Sequence, residues 1–440
     1  MSSDPPGGTP GPGEDPQNPF KGTPFEHLFG GLAGGGGQMP DLNALMGQMQ
    51  QMMAPFEGAV NWDLAKDTAR KAVAANPDPS TGPRDHDRVA DVLRLADHWL
   101  DDTTVFATGV RTTTAWSRAE WIEQTVPVWK VLVEPVAEHV TAAMGDALPP
   151  EAKAMAGPLI GMLGRAGGVM FGAQVGQALG ALAGEVLSAS DIGLPLGPEG
   201  TAALVPTNVR AFAEGLDVTE DDVLLYLALR EAAHQRLFAH VPWLRAHLIS
   251  AVEEYGRGAS LDISGIESSL RDIDPMNPQA LQEALEGGLF EPEKTPAQQA
   301  ALTRLETTLA LVEGWVDEVV GQATLERMPH AGKLQEAVRR RRASGGPGEQ
   351  AFGALVGLEL RPRRLRDAST LWGSLRTRQG IEARDAVWTH PDLLPTSDDL
   401  DDPLGFRESI KAPSSLSDEE FDAELNKLLD EGTGDGDGDR

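Results

Sequence analysis

The chain of 440 residues contains no cysteine, which excludes a disulfide framework, a thiolate metal site and a cysteine nucleophile. Any metal site must therefore be built from histidine and carboxylate. Cations are scarce too: 37 Lys and Arg stand against 67 Asp and Glu, a net charge of −30. With no cationic excess to displace counterions from phosphate, nucleic acid is not expected as a partner. The opening residues MSSDPPGGTPGPG have neither the basic nor the apolar region of a secretory signal, so the expected location is cytoplasmic. One long uncharged run exists, Ala166 to Gly184. It is interrupted by Gln174 and Gln177 and crowded with glycine, and it reads as a buried helix, with no membrane association expected.

Composition divides the chain into three. Residues 1–57 read as a disordered Gly/Pro-rich arm with a Met-rich patch, Met46 to Met53. Residues 58–404 read as a mainly α, multi-helical body with at most a few short strands. Residues 405–440 read as an acidic, mostly disordered tail, and from Pro391 to Arg440 there are 16 acids and 4 bases. A short amphipathic helix from Ser417 to Asp430 places Phe421, Leu425, Leu428 and Leu429 on one face, suited to a partner's groove. Asp435, Asp437 and Asp439 alternate with glycine but lack the closing glutamate of a calcium loop.

Within the body the helix signals are specific. Asn61 precedes one helical run, Asp87 to Leu100 forms another, and Ser117 with Glu120 makes a capping box. Gly164, Gly168, Gly172, Gly176, Gly180 and Gly184 recur at every fourth position. A mid-helix glycine costs roughly 0.5–1 kcal/mol against alanine, so the repeat implies close approach by a neighbouring helix, and this segment is expected to be the central packing helix. Phe171, Val175, Leu179, Leu182 and Val186 supply its bulky second face. Ala202 to Val205 is the clearest strand. Thr219 and Asp222 start a helix that runs to about His240, Pro242 starts the next, and Thr295 with Gln298 opens a long one. Arg339 to Arg342 and Leu360 to Arg366 form a basic island that reads first as an intramolecular partner for carboxylates and second as a site for an acidic ligand.

The chemistry concentrates in Leu227–His240, LALREAAHQRLFAH, where Glu231 and His234 have the spacing of the last two positions of H-E-x-x-H. In that motif two histidines at i and i+4 bind zinc from one helix face and the glutamate serves as general base. Arg230 stands at the first histidine's place, and a guanidinium offers a metal no lone pair. Leu227, Glu231, His234, Phe238 and Val241 fall on one stripe, so a carboxylate and an imidazole are directed inward and need partners. One reading is a reduced metal site. The other is a buried ion network in which Arg230 pairs with Glu231 or with a carboxylate of another helix. For a third ligand His240, His247 and Glu254 are weaker candidates, since isolated histidines on amphipathic helices are more often packing or surface residues.

The runs LALREAAHQRLFAHVPWLRAHL, GAVNWDLA, AWSRAEW, GGPGEQAF, LVGLELRPRRLRDA and HPDLLPTSDDLDDPLGF resemble the actinobacterial zincin-like metallopeptidase family, over nearly all of residues 58–406. The resemblance implies a zincin-like helical domain, a zinc cofactor and hydrolysis of peptide or related amide bonds in a peptide or protein substrate. By the same resemblance Glu231 is the catalytic base, and His234 and Glu313 are metal ligands. Relatives associated with deazaflavin-cofactor biosynthesis carry an intact H-E-x-x-H and a later E-G-H group. The matching positions here read Arg230-Glu231-Ala232-Ala233-His234 and Glu313-Gly314-Trp315, and both departures remove an imidazole. Three readings stay open: a zinc-dependent metallopeptidase-like hydrolase, an inactive binding or scaffold protein with Arg230 in place of the metal, and an adaptor acting through its C-terminal helix.

Overall fold

The computed structural model describes residues 56–146, 157–257, 295–346, 348–350, 353 and 363–407. The Met-rich patch and the segment Ser417 to Asp430, expected to form an amphipathic helix, lie outside these residues, as do nearly all of the two terminal segments. Among the described residues there are eleven α-helices and two short strands. Chain order is α1 (Trp62–Ala74), α2 (Pro83–Trp99), β1 (Thr112–Ala115), α3 (Arg118–Asp146), α4 (Gly157–Ala183), β2 (Thr201–Leu204) and α5 (Pro206–Ala213). Then follow α6 (Glu220–His240), α7 (Pro242–Arg257), α8 (Pro296–Thr324), α9 (Ala331–Ser344), α10 (Leu365–Ala386, kinked at Gly380) and α11 (Ser397–Asp401).

The caps read from sequence act as caps. Asn61 Oδ1 accepts from Leu64 N at 3.0 Å, Thr219 Oγ1 from Asp222 N at 3.1 Å, and Thr295 and Gln298 exchange both bonds of a capping box. Ser117 and Glu120 do the same at the start of α3, at 2.7 and 3.1 Å. Each cap satisfies amides that the first helical turn leaves without partners. The second helix begins at Pro83, one turn before the expected Asp87, because a proline suits the first helical position.

The glycine repeat lies against α1. A Cβ on Gly172 would stand 2.5 Å from Asn61 O, and one on Gly176 would stand 2.5 Å from Ala65 O. Asn61 N donates to Gly168 O at 3.0 Å, so the two backbones touch directly. The opposite face buries Val175, Leu179, Leu182 and Val186 as expected. The segment is nevertheless not the central helix, since Met170 on it is 53% exposed. That place belongs to α6 and α8, which are buried on every side from Tyr226 to Leu237 and from Thr308 to Val320. Among the described residues no helix is long and apolar enough to cross a membrane.

The strand expected at Ala202–Val205 is β2, one residue earlier, and it pairs in parallel with β1 from Thr112↔Thr201 to Ala115↔Leu204. Ser188 bridges Leu204 on the other side. The segment after α4 is thereby brought over α6 and α8: Ser188 and Ser190 reach Glu231 in the middle of α6, and Gly193 reaches Glu313 on α8.

Candidate functional site

Arg230 and His234 of α6 face α8, while Glu231, on the expected inward stripe, meets the segment after α4. Arg230 Nη2 donates to Glu313 Oε2 at 2.5 Å, with the arginine side chain 6% exposed and the glutamate 0%. Glu313, from a second helix, is therefore the carboxylate that pairs with Arg230. His234 Nδ1 lies 2.9 Å from the carbonyl of Arg230, one helical turn back, and its Nε2 lies 3.3 Å from Glu313 Oε1. Arg342 of α9 approaches the same Oε1 at 4.0 Å. Gly193, at φ +79°, comes close enough that a Cβ there would stand 3.0 Å from Glu313 Oε1, so only glycine fits both the backbone conformation and the space.

One carboxylate thus bonds one guanidinium and faces an imidazole, with the charge of a second guanidinium 4.0 Å away. Burial would push its pKa up, but the charges of Arg230 and Arg342 and the His234 hydrogen bond hold it down at about 2. Burial works against the charge on Arg230 in turn, and the Glu313 carboxylate more than offsets it, leaving the guanidinium above its ordinary value. The cluster continues outward through Asp317, one turn after Glu313, which takes Arg339 Nη2 at 2.5 Å and Ser369 Oγ at 2.8 Å. Arg340 pairs with Glu336 and Arg341 with Asp191, so the basic island is spent largely on the protein's own carboxylates.

Glu231 is fully buried and bonds other partners. Its carboxylate accepts from Ser190 N at 3.0 Å and Gln235 Nε2 at 2.9 Å, and burial pushes its pKa up. Trp315, at the position of the second missing imidazole, donates its indole N–H to Asp385 at 2.9 Å and stacks under Arg384. The remaining candidates are engaged away from the cluster. His240 is exposed and stacks on Phe106, His247 sits edge-on to Trp243, and Glu254 pairs with Arg304 and Ser250. Arg342 belongs to the basic island read from sequence, whereas Asp317, Gly193 and Gln235 carry no motif there. Asp317 and Gln235 each lie four residues after a buried acid, the spacing that shares a helix face, and that was the available signal.

The donor set does not fit zinc. A catalytic zinc needs three protein ligands and an open position. The cluster offers His234 Nε2 and the Glu313 carboxylate, with a permanent cation bonded to that carboxylate. Among the described residues no group of three His, Asp or Glu side chains is arranged to hold a metal ion.

Fold and site together define a mainly helical protein whose two innermost helices are joined by a buried Arg–Glu–His cluster. The family model for zincin-like metallopeptidases matches residues 60–406, and the chain belongs to that family. No curated protein matches. A solved structure described as "a putative hydrolase with a novel fold" from Chloroflexus aurantiacus is similar, with a TM-score of 0.56 and 20% identity. The match covers 78% of this chain and 96% of the other, a likeness of fold.

Proposed function

We propose that this member of the zincin-like metallopeptidase family is a non-hydrolytic binding or scaffold protein in which Arg230 stands in for the metal. The observation that carries the reading is the Arg230–Glu313 pair at 2.5 Å, buried on both sides. A dication beside that guanidinium would meet like charge with little water to screen it, and the carboxylate left to bind it is already neutralised. Glu231 supports the reading as well, because its oxygens are bonded to Ser190 and Gln235 rather than presented to a water near His234.

The rival reading is a metallopeptidase-like hydrolase of peptide or related amide bonds, with Glu231 as base. One observation favours it: the 3.3 Å between His234 Nε2 and Glu313 Oε1 is close to the separation of two ligands on one tetrahedral zinc, about 3.3 Å from ordinary bond lengths. Metal analysis of the purified full chain after dialysis separates the two. The expected result is far less than one zinc per chain, rising in Arg230→His. Stoichiometric zinc in the unaltered protein, lost in His234→Ala, would establish the hydrolase reading instead.

A further inference from the structure

A cavity of ≈ 330 Å³ opens between the end of α4, the following segment, α5 and the end of α9. Leu182, Val186, Ile192 and Phe212 give it an apolar body, and Arg341 and Arg342 stand at one side. Arg341 is committed, with its guanidinium on Asp191 at 2.9 Å and on the carbonyl of Glu185 at 2.7 Å. Arg342 is not. Its side chain is 3% exposed, yet Nε and Nη2 make no hydrogen bond among the described residues. The nearest carboxylate oxygens, on Glu313 and Glu349, lie 4.0 and 3.9 Å away, beyond hydrogen-bond reach.

Nε and Nη2 form one edge of the guanidinium, the fork that receives both oxygens of a carboxylate. Leaving these donors buried and unbonded is costly, since they lose water and gain no partner. Both atoms are closed to solvent, so a ligand gains them as the Arg342 side chain turns toward the cavity; one that then supplies two oxygens removes the cost, and one with an apolar body also covers Leu182, Val186 and Phe212. The surrounding charge selects among anions. Glu185 and Glu349 also line the cavity and Glu313 lies 4.0 Å from Arg342 Nη2, so a dianionic phosphate would meet more repulsion than a monoanionic carboxylate.

We infer that this cavity binds a small carboxylate with an apolar side chain, such as the C-terminal residue of a peptide, through Arg342. The inference gives a ligand class to the binding role proposed above, but it stands on Arg342 and the cavity. Zinc in the purified protein would overturn the earlier reading and leave this one intact.

The test is calorimetric titration of the full chain with N-acetyl-leucine, N-acetyl-leucinamide and hexyl phosphate. Saturable binding of N-acetyl-leucine is expected, with the amide weaker by about tenfold or more, because a charged hydrogen-bonded pair is lost. Arg342→Gln should weaken N-acetyl-leucine similarly. Ala211→Trp, an exposed helical position lining the cavity, should block it while Arg342 stays in place. That variant keeps the test decisive even if Arg342→Gln does not fold. The inference fails if the amide binds as well as the acid, if hexyl phosphate binds and N-acetyl-leucine does not, if none binds, or if Ala211→Trp binds unchanged.

Discussion

Replacing Glu313 by glutamine keeps the shape of the buried cluster and removes its anion, leaving Arg230 and Arg342 to face an amide. Two routes give the size of the effect. A carboxyl held at about 2 in place of its ordinary 4.5 corresponds to roughly 3 kcal/mol of stability at neutral pH. Removing one partner from a buried pair typically costs about 3–5 kcal/mol, because the other charge is left uncompensated. The routes agree, and Glu313→Gln should lose about 3 kcal/mol in urea unfolding at pH 7. The loss has a pH signature. A carboxyl whose pKa is depressed by folding contributes stability that is fully present above 4.5 and disappears as the pH falls toward 2. Wild type and variant should therefore converge over that interval. Adding Arg230→Met should recover part of the loss, since the stranded cation is gone. Equal stabilities at pH 7, or a gap that stays constant on acidification, would refute the account of Glu313 as the anion that holds α6 and α8 together.

Two further outcomes follow from neighbouring packing and charge. Gly176→Ala should destabilise, because its Cβ would stand 2.5 Å from Ala65 O, whereas Gly167→Ala in the same helix meets nothing within 4 Å and should stabilise by up to about 1 kcal/mol; urea midpoints that move in the same direction would contradict the close approach of α1. Burial raises the pKa of Glu231, so its charge opposes folding at high pH and the opposition fades as the pH falls through the folded pKa to below 4.5. Glu231→Gln should accordingly raise the urea midpoint at pH 8 and gain progressively less on acidification, while a lowered midpoint at pH 8 would mean that the bonds from Ser190 and Gln235 outweigh the burial of the charge.

Local chemistry was readable wherever the partner lies within a turn. Asn61, Ser117 with Glu120, Thr219, and Thr295 with Gln298 cap helices through amides three residues away, so short motifs suffice. The glycine repeat was readable as a contact surface, since six glycines in a helix have little other physical reason. Its rank in the fold was not. Fourfold small-residue spacing reports a close neighbour on one face and says nothing of solvent on the other, where Met170 is exposed. The strand Thr112–Ala115 went unread for a related reason. Four residues, TTTA, show no alternation of their own and become a strand through pairing with Thr201–Leu204, far along the chain.

The same limit governs the site. On a helix, adjacent side chains point about 100° apart, so Arg230 and Glu231 could not both face one partner and the arginine's carboxylate had to come from another helix. Many acids were available in a chain with 67 of them. Periodicity narrows the choice to those on an apolar face, and Glu313 is flanked by Leu309, Val312 and Val316, all fully buried. A glutamate in that setting must have a cation or be protonated. Arg230 is the matching cation on the facing helix, 83 residues away. Each residue of the pair is thus anomalous alone, and each explains the other. That mutual requirement also accounts for an arginine at the motif's first position: with Glu313 buried opposite, the site calls for a positive charge, which a metal or a guanidinium can provide, and this chain carries the guanidinium.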